Sequence, residues 1–146
     1  MGRKILGDKG MALTELIAEM YAFSLELEAQ GADLTVIAEP FSRSLTAFEE
    51  VSHWFLQEAS DDADLAGSIS VNYLMLMGNV VCSWLMTRSA VAAKQHLDAG
   101  ADDEFYRNKI KTATFFAEHI LPRCEGLKYS VQAGSGSIMS ISIDAF

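Results

Sequence analysis

Apolar residues recur at intervals of three and four through most of this chain, and only two prolines interrupt them. That spacing is the period of a helix face, so the glycines and prolines mark the boundaries of helical stretches. They delimit four stretches.

The first runs from about Gly10 to Gln30, with Leu13, Leu16, Ile17, Met20, Tyr21 and Ser24 on one face. Gly31 then stands where a helix stop favours a residue without Cβ, and Asp33 can cap the next helix. The second runs to about Ser60, with a seam of Leu34, Ala38, Phe41, Leu45, Phe48, Ser52, Phe55 and Ala59 that suits a neighbouring helix. Pro40 lies within it, so either the helix starts near that residue or it is kinked there.

The third stretch starts at Asp61-Asp62, whose charges suit a helix N-terminus, and reaches about Ala99. Leu65, Ile69, Tyr73, Leu76, Val80 and Trp84 form one row, and Leu74, Met77, Val81 and Leu85 a second. So wide an apolar girth predicts burial on more than one side. The fourth begins at Asp102-Asp103 and carries Tyr106, Ile110, Ala113, Ala117, Ile120, Cys124, Leu127 and Val131, bending at Pro122 and stopping at Gly134-Ser135-Gly136. Ile138 to Phe146 shows weak strand alternation and reads as an ordered extension or a frayed end. The expected fold is all-α: an antiparallel up-and-down four-helix bundle over residues 10–134, preceded by a segment 1–9 and followed by a tail 135–146.

Composition limits the partners. The 146 residues suffice for one core, and a net charge of −9 argues against nucleic acid, which needs a basic face. No uninterrupted apolar run approaches a membrane span, because Asn72, Gly78, Asn79 and Ser83 break the richest stretch, so no membrane partner is expected. Cys82 and Cys124 are far apart in sequence and read as free, buried thiols of a cytoplasmic protein, with a disulfide between them the less favoured alternative.

No set of residues assembles catalytic machinery. A di-iron bundle needs two Glu-x-x-His pairs, and only Glu50-x-x-His53 matches, since Ala93 and Phe116 precede His96 and His119 by three. His119 reads as a capping or packing residue near Pro122. Gly134-Ser135-Gly136-Ser137 follows a helix instead of opening one, so its amides do not converge on an anion. Met75, Met77 and Met86 with Trp84 read as core and not as a cofactor box. Glu49-Glu50 reads as solvated charge. No catalytic, cofactor-binding or metal residue is therefore assigned. The remaining metal-binding option, through Glu50 and His53, is open to metal analysis of Glu50→Ala and His53→Ala.

Several motifs taken together do resemble a known family. Tyr73-Leu74 with Gly78 and Trp84, Phe105-Tyr106-x-x-Lys109, Ala113-x-Phe115-Phe116-x-x-His119-Ile120-Leu121-Pro122, Ala133-Gly134, Ile138-Met139 and Phe146 are similar to the C-terminal helical extension of acyl-CoA dehydrogenases. The subgroup is the one resembling 3-methylmercaptopropionyl-CoA dehydrogenase, and the resemblance covers nearly all of the chain. Gly2-Arg3-Lys4-Ile5-Leu6 and Asp8-Lys9-Gly10 match the segment that leads out of the family's dehydrogenase helical domain, just after the stretch carrying its catalytic glutamate. The serines at 130, 135, 137, 140 and 142 make the end more polar than in the family.

The resemblance implies a C-terminal piece of a larger enzyme, with segment 1–9 a residual linker. The family reaction is α,β-dehydrogenation of an acyl-CoA, with FAD as cofactor of the full-length enzyme and none held in this stretch. The isolated chain is then expected to be inactive. Its partners are the upstream dehydrogenase domains, or a homo-dimer or higher oligomer formed through exposed apolar faces. The alternative is a free-standing dimeric helical interaction or regulatory module.

Overall fold

A computed structural model describes residues 2–28 and 34–145. The described residues form eight α-helices and a 3-10 turn, with no strand. The helices are α1 (Gly2–Gly7), α2 (Met11–Glu28), α3 (Thr35–Glu58), α4 (Leu65–Ser68), α5 (Ser70–Asp98), α6 (Glu104–His119), α7 (Arg123–Gln132) and α8 (Gly136–Met139), and the 3-10 turn covers Ile143–Ala145. The fold is all-α, but it has more pieces than four uninterrupted helices. Gly31 and Asp33, the expected stop and cap, lie outside the described residues.

α1 and α2 are joined by a turn that the sequence specifies closely. Asp8 accepts hydrogen bonds from the Gly10 and Ala12 amides at 3.0 and 3.2 Å. Gly10 has φ +78°, and a Cβ built there would meet Leu56 Cδ1 at 2.6 Å. Both the left-handed backbone and the approach of α3 therefore require glycine.

α3 resolves the choice left open at Pro40. The helix begins at Thr35 and continues through Pro40, which sits in its second turn. Proline has no N–H to offer the Val36 carbonyl, so one rung is missing near the N-terminal end, while Ile37, Phe41, Leu45 and Phe48 bury the face on both sides of it.

The third stretch is not one helix from Asp61. The Asp62 carboxylate accepts from the Asp64 and Leu65 amides at 3.0 and 3.1 Å, a local turn that competes with helix until α4. A second interruption falls at Ile69, beside Gly67 and two serines, and Ser70 Oγ donates to the Gly67 carbonyl at 2.9 Å. The Tyr73 amide still bonds to the Ile69 carbonyl at 2.9 Å, so the row keeps its register and Leu65, Ile69, Tyr73, Leu76, Val80 and Trp84 are all buried.

The fourth stretch breaks where a bend is expected. α6 opens with Asp103 accepting from the Phe105 amide at 2.8 Å and ends at His119. Pro122 at φ −56° is already shaped for the start of a helix, so α7 begins anew at Arg123, and buried Leu121 and Cys124 fix the corner. Gly134 at φ +72° then ends α7. The tail is not a strand. In an all-helical setting it has no neighbour to pair with, and it forms α8 and the 3-10 turn with Ile138, Met139, Ile141 and Ile143 exposed.

α3 and α5 are central. α5 packs on α3, α6 and α7, whereas the main neighbour of α2 is α3. At the middle, Tyr73 lies between Phe48 and Phe55, with ring centroids 5.7 and 5.8 Å away. Ser52 Oγ donates to the Phe48 carbonyl at 2.7 Å, which leaves it to accept from the Tyr73 hydroxyl at 2.8 Å. Burial pushes the Tyr73 phenol up to about 12, although the Ser52 bond pulls the other way.

α5 also corrects the reading of its composition. One 18-residue stretch has a mean hydropathy of 1.2, so by length and composition alone this helix is long and apolar enough to cross a membrane. The interrupting Asn and Ser residues are outweighed by the Val, Leu and Met between them. Tyr73, Leu76, Val80, Ser83 and Trp84 are nonetheless core residues of the fold.

Candidate interaction surface

The residues with chemical potential are dispersed. Glu50 and His53 are both exposed on α3, and the Glu50 carboxylate is engaged by Lys128 of α7. Its neighbour Glu49 accepts from the Tyr21 hydroxyl at 2.7 Å, so this acidic pair ties α3 to α2 and α7 and is not merely solvated. His96 stacks on Tyr106 with centroids 4.7 Å apart, and His119 lies 4.8 Å from the Phe115 ring. His119 thus packs on its own helix. Among the described residues no group of three or more His, Cys, Asp or Glu is placed to hold a metal ion.

The two thiols are free and differ. Cys124 is buried, and burial pushes its thiol up, against the pull of side-chain hydrogen bonds with Ser44 and Asn79. Cys82 is exposed, contrary to the expectation of two buried cysteines, because it faces away from the core row of α5. The methionine set divides in the same way: Met77 and Met86 pack on the core, whereas Met75 is exposed. Trp84 Nε1 is buried without a hydrogen-bond partner among the described residues, with the Arg88 guanidinium 5.1 Å from the ring centroid. Gly134-Ser135 acts as a stop, and Ser135 Oγ donates to Asp62, tying the root of the tail to the start of α4.

The sequence reading expected exposed apolar faces without saying which residues form them, and the structure places several on α5. Leu74 is 62 % exposed and Leu85 52 %, so half of the second α5 row is not buried within the chain. Met77 and Val81 are the half that packs. A groove of about 480 Å³ adjoins this surface between α1, α2 and α5, lined by Ile5, Leu13, Leu16, Val71, Leu74 and Met77 together with Lys4 and Asp8. Such a surface has the chemistry to bind another apolar surface, and the Asp8 carboxylate at its edge is engaged by the Gly10 and Ala12 amides.

Comparison with known proteins gives the family. A family model described as "Acetyl-CoA dehydrogenase C-terminal like" matches residues 13–142. The chain belongs to this family. As a member of the acyl-CoA dehydrogenase C-terminal family, it is 32 % identical over 143 residues to the 3-methylmercaptopropionyl-CoA dehydrogenase of Ruegeria pomeroyi, which covers 98 % of this chain and 24 % of that protein. It is 29 % identical over 153 aligned residues to the broad-specificity linear acyl-CoA dehydrogenase of Mycobacterium tuberculosis, covering 99 % of this chain and 25 % of the relative. The chain thus spans about a quarter of the length of the curated relatives it matches.

Proposed function

We propose that this chain works as the accessory C-terminal helical domain of a flavin-dependent acyl-CoA dehydrogenase. The observation that carries the reading is the alignment of nearly the whole chain with one quarter of each relative. In such an enzyme a glutamate takes the α proton of the acyl-CoA and FAD, when bound, takes the β hydride. In this reading both groups lie in the rest of the enzyme, and this chain contributes no base and no flavin contact. Its contribution is an apolar packing surface around the α1–α2–α5 groove, against which the dehydrogenase domains rest. The two unpaired thiols favour a reducing, cytoplasmic setting.

The test is the denatured mass of the natural polypeptide in cells of its source, by immunoblot with an antibody to this bundle. A band several times larger than 16.0 kDa supports the reading. A band at 16.0 kDa overturns it and favours the free-standing interaction module, which the uncovered apolar surface would also suit.

A further inference from the structure

We propose that the cleft between α2 and α5 beside Trp84 binds a small zwitterion with an apolar body, the chemistry of an apolar α-amino acid. Its carboxylate would face Arg88 and Trp84, and its ammonium Glu19 and Glu26.

The argument starts from an unused donor. Trp84 is 7 % exposed, and its Nε1 finds no acceptor among the described residues. A buried indole N–H ordinarily has a partner, because it gives up water to be there. Trp84 also lines a cavity of about 390 Å³, a size that suits a small molecule. The cavity shares no described lining residue with the α1–α2–α5 groove. It exists because α2 packs chiefly on α3 and leaves space beside α5.

The walls of this cleft carry opposite charges that do not meet. Glu19 and Glu26 lie two turns apart on one face of α2, and Arg88 lies one turn beyond Trp84 on α5. The Arg88 guanidinium rests 5.1 Å from the Trp84 ring centroid and, among the described residues, pairs with neither glutamate. Phe23, Val91 and the indole supply the apolar part of the lining.

These groups select the occupant. A simple anion would suit Arg88 but confront two carboxylates. A simple cation would suit the glutamates but confront Arg88 and leave the Trp84 N–H without an acceptor. An uncharged apolar molecule would strip water from the charged walls and return no bond to them. A zwitterion answers each wall: its carboxylate accepts from Arg88 and from Trp84 Nε1, its ammonium donates to Glu19 and Glu26, and its side chain covers Phe23 and Val91. Nε1 is shielded in the empty cleft, so the indole edge must turn toward the bound carboxylate. Trp84 therefore reports binding.

Intrinsic fluorescence of the 146-residue chain tests this, independently of the denatured mass that tests the proposed function. Trp54→Phe leaves Trp84 as the only indole. The probe is L-leucine, with 4-methylpentanoate lacking its ammonium and 3-methylbutylamine lacking its carboxylate. The expected result is a saturable emission shift with leucine at a Kd of about 1 mM or below, and binding at least about 10-fold weaker for each analogue. Arg88→Met keeps a side chain over the indole ring. It should weaken leucine about 10-fold and leave 3-methylbutylamine no weaker. Glu19→Gln with Glu26→Gln should weaken leucine to a similar degree and leave 4-methylpentanoate no weaker. All three positions are exposed, so circular dichroism and melting should not change. No saturation by leucine up to about 10 mM overturns the proposal. So do analogues that bind as well as leucine, which would make the cleft a merely apolar one, and leucine binding that survives both sets of substitutions.

Discussion

The two faces of α5 are built from similar residues and meet opposite surroundings. The inner face carries Tyr73, Leu76, Val80 and Trp84, all buried against the other helices. The outer face carries Val71, Met75 and Leu85, all more than half exposed. Hydrophobicity alone therefore does not decide which side of this helix belongs to the core. The inner face is selected by the partner it meets: the Phe48, Ser52 and Phe55 row of α3 presents aromatic rings at spacings that enclose Tyr73 and a serine that satisfies its hydroxyl. The outer face has no such counterpart among the described residues.

Truncation should separate the faces most sharply. Phe55→Ala removes a fully buried ring beside Tyr73 and should cost about 3–5 kcal/mol. Leu85→Ala, in dilute solution, should stay within about 0.5 kcal/mol. Urea unfolding of both variants provides the measurement, and comparable losses would mean that the outer face is also packed within one chain.

The next largest effect is a pH dependence confined to the inner face. The folded protein holds Tyr73 neutral up to about pH 12, whereas an unfolded chain ionises it near 10. The folded state then binds one proton more than the unfolded state between those values. The contribution is complete below pH 10 and is lost as pH rises toward 12, a total of about 3 kcal/mol. Tyr73→Phe should flatten that part of the stability profile relative to the parent chain, since every other titrating group is common to both.

Much of this organisation was legible before the structure. The rows of α2, α3 and α5 follow from three-and-four spacing because burial on one side forces that spacing, and the row through Leu65 and Ile69 survives even where the helix is interrupted. The interruptions were not legible in the same way. Asp62 reads equally well as a helix-start charge and as a turn former, and only its bonds to the Asp64 and Leu65 amides decide between them. Pro122 signals a lost rung, but whether a helix bends or restarts depends on burial of Leu121 and Cys124 at the corner. The interaction surface was half legible: the excess apolar girth of α5 showed, but which of its residues stay uncovered depends on where α2 sits, and periodicity does not encode that.

A smaller effect tests what holds a helix with little inner face. Along α6 the buried residues are Ala113 and Ala117, both small, so its start relies more on local bonding than that of α5 does. Asp103→Ala removes the side chain that accepts from the Phe105 amide and should cost about 1 kcal/mol. Hydrogen exchange should show the loss as faster exchange in the first turn of α6, with the α5 core amides little changed. A uniform acceleration across both helices would mean that the cap supports the whole fold and not one end of it.

The last prediction reverses the usual sign and returns to the outer face. Gly78→Ala adds a methyl where nothing lies within 4 Å, and it replaces the least favoured ordinary residue of a helix interior with the most favoured. In dilute solution the chain should gain up to about 1 kcal/mol, read as a higher urea midpoint with an unchanged slope. A lower midpoint instead would mean that the space around Gly78 is filled when the chain is folded.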